Sequence, residues 1–206
     1  PLGPVLREYL VSEGIYHLGL PTTRALAAVK TGDKVYREKP LPGAILTRVA
    51  SSHIRIGTFE YFEAKNDLEN LKILTDYSIK RHYPELEPDQ NSYFLFFQKV
   101  ARAQVELVTS WMAIGFIHGV MNTDNISISG ETIDFGPCAF MDRFRFNQVF
   151  SSIDQFGRYS YSNQAQIIFW NLSRLGSCLV SLMPDDSRET VKLLQNELSG
   201  MGTLFE

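Results

Sequence analysis

Between Gln90 and Gly115 apolar side chains return at three- and four-residue intervals, as Tyr93, Phe96, Phe97, Val100, Val105, Val108, Trp111 and Met112. This is the period of an α-helix, sustained well past the length of an average one. So long and so aromatic a stripe is stable only when other elements cover it. It therefore predicts a central buried helix around which the rest of the chain packs, and its aromatics are packing rather than a cofactor site. The helix delivers the chain into Phe116-Ile117-His118, where the polar chemistry begins.

The stretch from His118 to Asp142 reads HGVMNTDNISISGETIDFGPCAFMD. Apolar-polar alternation at Ile126 and Ile128, a turn at Ser129-Gly130-Glu131, and a short run through Ile133 predict a hairpin. Asn125 and Asp134 would then lie at the outer ends of its two strands, near one mouth. Mg²⁺ takes few protein ligands, usually one or two carboxylate or amide oxygens, and completes its shell with phosphate oxygens and water. An Asn followed across a hairpin by Asp-Phe-Gly is the arrangement protein kinases use to hold nucleotide phosphates through metal, and His-Gly upstream at this spacing strengthens the match. A surface hairpin whose Asn and Asp make turn hydrogen bonds is the plainer alternative. One departure is chemical. Counted back from Asn125, the position of the kinase base is Val120, which accepts no proton, and Asp124 is the nearest acid. His118 is expected to anchor the loop rather than act as the base.

The runs HGVMNTDN and TIDFGPCAFMD resemble the signature of the selenoprotein O family, kinase-fold proteins that act as protein adenylyltransferases. Ser12 to Leu26, Pro42 to Phe62 and Gln155 to Leu175 resemble further blocks of that family in the same order. The resemblance implies transfer of AMP from ATP, bound in reverse orientation to a kinase, onto Ser, Thr or Tyr hydroxyls of target proteins. It implies Asp124 as proton acceptor, Asn125 and Asp134 as ligands of Mg²⁺ (Mn²⁺ possible), and Arg48 and Arg55 as contacts to the nucleotide phosphates. Glu8 resembles the acidic residue that pairs with the family's nucleotide-binding lysine. That lysine and its phosphate loop have no counterpart here. Members of the family are longer, so both ends are expected to be cut short and the isolated piece to have weak or no activity.

Composition bounds the alternatives. A chain of 206 residues with 44% hydrophobic and 12% aromatic content has material for one sizeable core. A formal net charge of −3 gives no general reason to expect nucleic acid or an anionic membrane as partner. No segment approaches the ~20 apolar residues of a membrane span, and the opening residues do not read as a charged-then-apolar leader; a cytoplasmic location is expected, with organellar targeting of the intact parent left open. Cys138 and Cys178 lack zinc-ligand spacing. Cys138, four residues after Asp134, is either a redox handle or, as expected, an inert small side chain.

Along the chain, Val5 to Leu18 predicts a helix ended by Gly19 and barred from continuing by Pro21. Arg24 to Val29, Lys34 to Glu38 and Ala44 to Ala50 predict antiparallel strands separated by Thr31-Gly32-Asp33 and Pro40-Leu41-Pro42-Gly43. Arg48 interrupts apolar strand residues, and with Arg55 it suits a phosphate clamp or an ordinary salt bridge. Leu68 to His82 predicts a helix capped at Asn66-Asp67, and Pro84 and Pro88 mark a loop. Arg143 to Tyr161 predicts an activation-segment-like loop. Gln164 to Met183 predicts a helix with Ile167, Ile168, Trp170, Leu172, Leu175, Leu179 and Leu182 on its apolar face. Pro184-Asp185-Asp186 breaks it before a final helix, capped by Asp186 or Ser187, through Leu198. The expected class is α+β and kinase-like, with a partial small lobe over 1–65 and a mostly helical large lobe over 66–206. The alternatives are a nucleotide-binding pseudokinase or interaction module, and an ordinary kinase using Asp124.

Overall fold

The long apolar stripe is a helix over Ser92–Ala113 in the computed structural model, which describes residues 1–86, 91–183 and 187–205. Phe96, Phe97, Val100, Val105, Val108 and Trp111 are each at most 1% exposed, while Tyr93 and Met112 are only half-buried. The expected start at Gln90 falls outside the described residues, as do Pro88 and the break at 184–186. In order the chain forms α1 (Leu2–His17), β1 (Arg24–Tyr36), β2 (Pro40–Val49), α2 (Ile56–Ala64) and α3 (Leu68–His82). Then come α4 (Ser92–Ala113), β3 (Phe116–Ile117), β4 (Ala139–Phe140), α5 (Gln164–Leu179) and α6 (Ser187–Met201). The class is α+β, with two antiparallel two-stranded sheets, β1-β2 and β3-β4.

Helix α1 stops as its sequence predicts. Gly19 takes φ +83, a region open to glycine without steric cost, and the Leu20 N–H returns to the Ile15 carbonyl at 3.2 Å. The helix begins earlier than expected, at Leu2, because Pro4 in the first turn forfeits an N–H that has no partner there. At α3 the Asp67 carboxylate accepts the Asn70 N–H at 3.2 Å, capping the helix as expected.

The ribbon corrects the strand reading. The first two expected strands are one strand, β1. Thr31-Gly32-Asp33 is no reversal but an irregularity between Lys30 and Lys34, with Gly32 at φ +88. Pro40 and Pro42, expected in a loop, lie inside β2 opposite Tyr36 and Lys34. Each strand of a two-stranded ribbon keeps a free edge, and a proline whose missing N–H faces that edge costs no ladder bond.

The helical second half builds the core. Helix α4 packs against α5 and α6, and Gly176 of α5 admits the Phe97 ring, since a Cβ there would stand 3.3 Å from it. Trp170 departs from its expected place in the apolar face and is 40% exposed. It sits off the buried line of Ile167, Ile168, Leu172 and Leu175, and the Arg158 guanidinium lies 4.7 Å from its ring. Residues 143–160 are irregular up to the 3-10 turn at Tyr161–Asn163, as expected.

Candidate active site

The stretch after β3 is not a hairpin. The arm at Ile126–Ile128 pairs with the chain before α2, through Ile56 N–H to the Ile126 carbonyl and Ile128 N–H to the Ile54 carbonyl, both 3.0 Å. The arm at Thr132 pairs with the α1–β1 connection, through Thr132 N–H to Pro21 at 3.1 Å and Thr23 N–H to Thr132 at 3.0 Å. Only the turn survives, with Gly130 at φ +74 and its N–H on the Ser127 carbonyl at 3.2 Å. Ile126, Ile128 and Ile133 are all at most 1% exposed. An isolated two-stranded hairpin buries neither face, whereas outward pairing lets this stretch lie in the core with its backbone satisfied.

Buried polar side chains of the helices complete that satisfaction. Gln104 donates to the Ser127 carbonyl at 2.5 Å, and Trp111 Nε1 donates to the Thr132 hydroxyl at 2.9 Å. Gln164 accepts the His118 N–H and donates to the Phe116 carbonyl, both at 3.0 Å. Asn171 donates to the Met121 carbonyl at 2.9 Å. His118 is fully buried and stacked on Trp111. Its Nε2 lies 2.8 Å from the Ile133 carbonyl, which can only accept, so Nε2 carries the proton and Nδ1 faces the Val120 N–H. Burial lowers its pKa. The ring is thus a neutral anchor, as expected, and not an exposed base.

Charge gathers at Asp134. Its backbone is at φ +66, a conformation that aspartate tolerates better than most residues. One carboxylate oxygen takes Arg48 Nη2 at 2.9 Å and the other takes Arg55 Nη2 at 3.2 Å. Arg48 Nη2 also reaches Glu8 at 2.9 Å, and the second Glu8 oxygen accepts the Phe135 N–H at 2.7 Å. Glu8, which the resemblance paired with a lysine, is therefore held by Arg48. Burial alone would lower the Arg48 pKa, but Glu8 and then Asp134 outweigh it and hold it raised. Arg7, which no sequence argument singled out, donates Nε to the Phe135 carbonyl at 3.1 Å and Nη2 to the Cys138 carbonyl. Adjacent residues of α1 thus grip the segment after Asp134 from outside.

Asp124 and Asn125 occupy the 3-10 turn Thr123–Asn125. Gly57 of α2 lets this turn approach, since a Cβ there would stand 3.2 Å from the Asp124 nitrogen. The Asp124 side chain is exposed, with no hydrogen bond among the described residues. The Asn125 amide donates to the Val120 carbonyl at 3.0 Å, which orients its oxygen and leaves that oxygen open. An antiparallel bridge joins Arg55 to Ser127. Arg55 therefore ties the chain leaving Asn125 to the Asp134 carboxylate, although among the described residues no hydrogen bond joins Asn125 or Asp124 to Asp134. Arg55 Nε is buried without a partner. Among the described residues no group of three His, Cys, Asp or Glu gathers to hold a metal. Asn125 and Asp134 offer hard oxygens of the kind Mg²⁺ accepts when substrate and water supply the rest.

Cys138 is 1% exposed, and burial pushes its thiol pKa up, with Arg7 opposing. Cys178 is pushed up to about 12 by burial. Neither has the character of a reactive thiolate. Among the described residues no helix is long and apolar enough to cross a membrane.

Buried neutral clamps thus hold the 116–134 stretch from the helical side, and on the other side the Asp134 carboxylate is bracketed by two arginines. The sequence profile of the protein adenylyltransferase SelO family matches residues 2–205, and the chain belongs to that family. It is 56% identical over 205 residues to the protein nucleotidyltransferase YdiU of Bacillus mycoides strain KBAB4. It is 58% identical over 205 residues to that of Rhizobium meliloti strain 1021. Each match covers 100% of this chain and 42% of the relative, so the chain spans about two-fifths of the length of the curated relatives it matches.

Proposed function

We propose that this chain carries the phosphate- and metal-handling part of a protein adenylyltransferase with a kinase-like arrangement. In that arrangement residues 1–65, with α1, the ribbon and α2, are part of the small lobe, and residues 66–206 the helical large lobe. The observation that carries the proposal is the convergence of Arg48 and Arg55 on Asp134, with Arg55 bridged to Ser127, two residues after Asn125. Forked guanidinium donors match phosphate as well as carboxylate. The nucleotide's phosphates would replace the carboxylate as partner of both arginines and so free the Asp134 oxygens. The partnerless Arg55 Nε is a donor still available to such a phosphate.

Asn125 and Asp134 would hold Mg²⁺ or Mn²⁺, which when bound supplies charge neutralisation on the phosphate oxygens. Asp124, exposed and unengaged, accepts the proton of a Ser, Thr or Tyr hydroxyl as that oxygen attacks the α-phosphorus of ATP. The bond to the β-phosphate oxygen breaks, and pyrophosphate leaves toward Arg48 and Arg55. The clamps on the 116–134 backbone hold these groups in place beforehand, and preorganised charge supplies most of the rate.

A second reading has its own support. Both Asp134 oxygens are capped by arginines, and Val120 stands where a kinase base would be. Those features also suit a module that binds nucleotide and transfers nothing. Intact-mass spectrometry of the longest naturally encoded form of the chain, with Mg²⁺-ATP and a generic protein substrate, separates the two. An adenylyl-sized addition, reduced at least about a hundredfold in Asp134→Ala, is the expected result. A phosphate-sized addition would make it a kinase, and no addition with ATP still bound would establish the binding module.

A further inference from the structure

An open cleft of about 740 Å³ is lined by Val120 and Asn122, by Ile153, Phe156 and Arg158 of the irregular segment, and by Trp170 of α5. Asn122 is two residues from Asp124, no more than about 7 Å of chain. The cleft therefore begins beside the proposed base. The Tyr159 hydroxyl hydrogen-bonds the Asn122 side chain, tying the irregular segment to the loop that carries Asp124.

The segment's tip is built rather than slack. The Asp154 carboxylate accepts the Arg158 and Tyr159 N–H groups at 2.9 and 2.8 Å, and the Asn163 amide donates to the Gly157 carbonyl at 2.7 Å. That closed loop presents Ile153 and Phe156, which are 81% and 96% exposed. With Trp170, 40% exposed and lining the same cleft, they form a grouped apolar surface of the kind that marks an interaction site.

Charge identifies the occupant. The Arg158 guanidinium rests on the Trp170 and Tyr159 rings at 4.7 and 5.6 Å. No carboxylate lies within ion-pair distance of it among the described residues. Asp154, which also lines the cleft, is engaged by the loop itself. A single cation unpaired among the described residues, Arg158, beside the apolar side chains that line the cleft, suits a segment with an isolated carboxylate rather than a polyanion.

We propose that the cleft docks the acceptor segment of the protein substrate: a hydroxyl residue flanked by a large apolar side chain, seated against Ile153, Phe156 and Trp170, and by a carboxylate paired with Arg158. The proposal rests on the adenylyl-transfer reading for the identity of the acceptor, but docking is measurable without transfer. A positional peptide library centred on threonine is equilibrated with the longest natural form of the protein, and bound peptides are sequenced. The selected peptide and its Glu-to-Lys counterpart are then titrated by fluorescence anisotropy, and incubated with Mg²⁺-ATP.

Bound peptides are expected to be enriched in Asp or Glu at one flanking position and in Leu or Phe at another, with affinity about tenfold higher for the acidic form. Arg158→Glu should reverse that charge preference, and Ile153→Ser with Phe156→Ser should weaken both peptides about tenfold. Lys80→Glu, an equal charge change on exposed α3 surface, should keep the wild-type preference. Absence of enrichment, equal affinities, or a preference unchanged in Arg158→Glu would overturn the proposal. So would an Ile153→Ser, Phe156→Ser variant that changes oligomeric state while keeping peptide affinity, since a second copy would then be the occupant. Charge-selective binding without adenylyl addition would uphold the docking site and sink the transfer reading instead.

Discussion

The helices α4 and α5 and the pair formed by α1 and the ribbon both grip the segment between Phe116 and Cys138, but they grip different parts of it by different forces. The helices hold it by neutral buried side chains, Gln104, Gln164 and Asn171 on its backbone and Trp111 on the Thr132 hydroxyl. Helix α1 and the ribbon, joined by Arg55 at the start of α2, reach it with charge, through Arg7, Glu8, Arg48 and Arg55, whose partners include the Asp134 carboxylate. In water-excluded surroundings a neutral hydrogen bond has no competitor. An ion pair with side chains a fifth to a third exposed is screened and replaceable. The contrast separates what must stay fixed, the path of the chain, from what must change partners, the arginines and the carboxylate.

The largest effect should follow from cutting a neutral clamp. Gln164→Leu leaves the buried His118 N–H and Phe116 carbonyl without their partner, at a cost of about 2–5 kcal/mol in urea denaturation. Arg48→Ala should lose less stability, about 1 kcal/mol, because both its carboxylate partners keep another: Asp134 retains Arg55, and Glu8 retains the Phe135 N–H. ATP affinity should nevertheless fall about tenfold or more, as read by calorimetry. If Arg48→Ala unfolds the chain as readily as Gln164→Leu, the ion pairs are structural and the comparison breaks.

What the sequence revealed of this division is uneven, for physical reasons. Apolar period exposed α4 and most of α5, because burial of one face leaves a mark every three or four residues. Asp67 and Gly19 were legible because a cap and a left-handed turn depend on one residue and its neighbours. Asn125, Asp134, Arg48 and Arg55 were reached through a local motif and a family resemblance, and the structure brings the last three into contact. Arg7 was out of reach, since its partners lie over a hundred residues away. Gln104, Gln164 and Asn171 did leave a signal, polar residues on otherwise buried helical faces, which implies a buried partner. The hairpin failed because alternation at Ile126, Ile128 and Ile133 reports burial, and cannot say which strand supplies the pairing.

A smaller effect should appear with pH. Burial holds the folded His118 pKa below 6.5, and His82 shifts the same way, by desolvation first. Below that value the unfolded chain takes up protons that the folded chain refuses, so stability should decline as pH falls from 7 toward 5. Glu13, held at about 2 by its hydrogen bond from Arg24 against a usual 4.5, loses its contribution only between those two values. The two windows therefore separate. His118→Gln should be less stable at pH 7 and show a shallower decline between 7 and 5 in thermal melts. An unchanged slope would mean that His82 carries the effect and that the His118 clamp is less tightly buried than its neighbours.

The smallest effect should come from the ribbon's exposed face, where Val29 pairs with Ile45 and the two are 58% and 61% exposed. Replacing both by threonine keeps the β-branch that suits a strand and removes little apolar surface from any contact. The change in stability of the 206-residue chain should stay within about 0.5 kcal/mol. A loss above about 2 kcal/mol, the scale of burying a whole aliphatic side chain, would mean that this face is covered in solution. The ribbon would then be held by packing as well as by charge, and the freedom that the comparison assigns to Arg48 would have to be smaller than its ion pairs suggest.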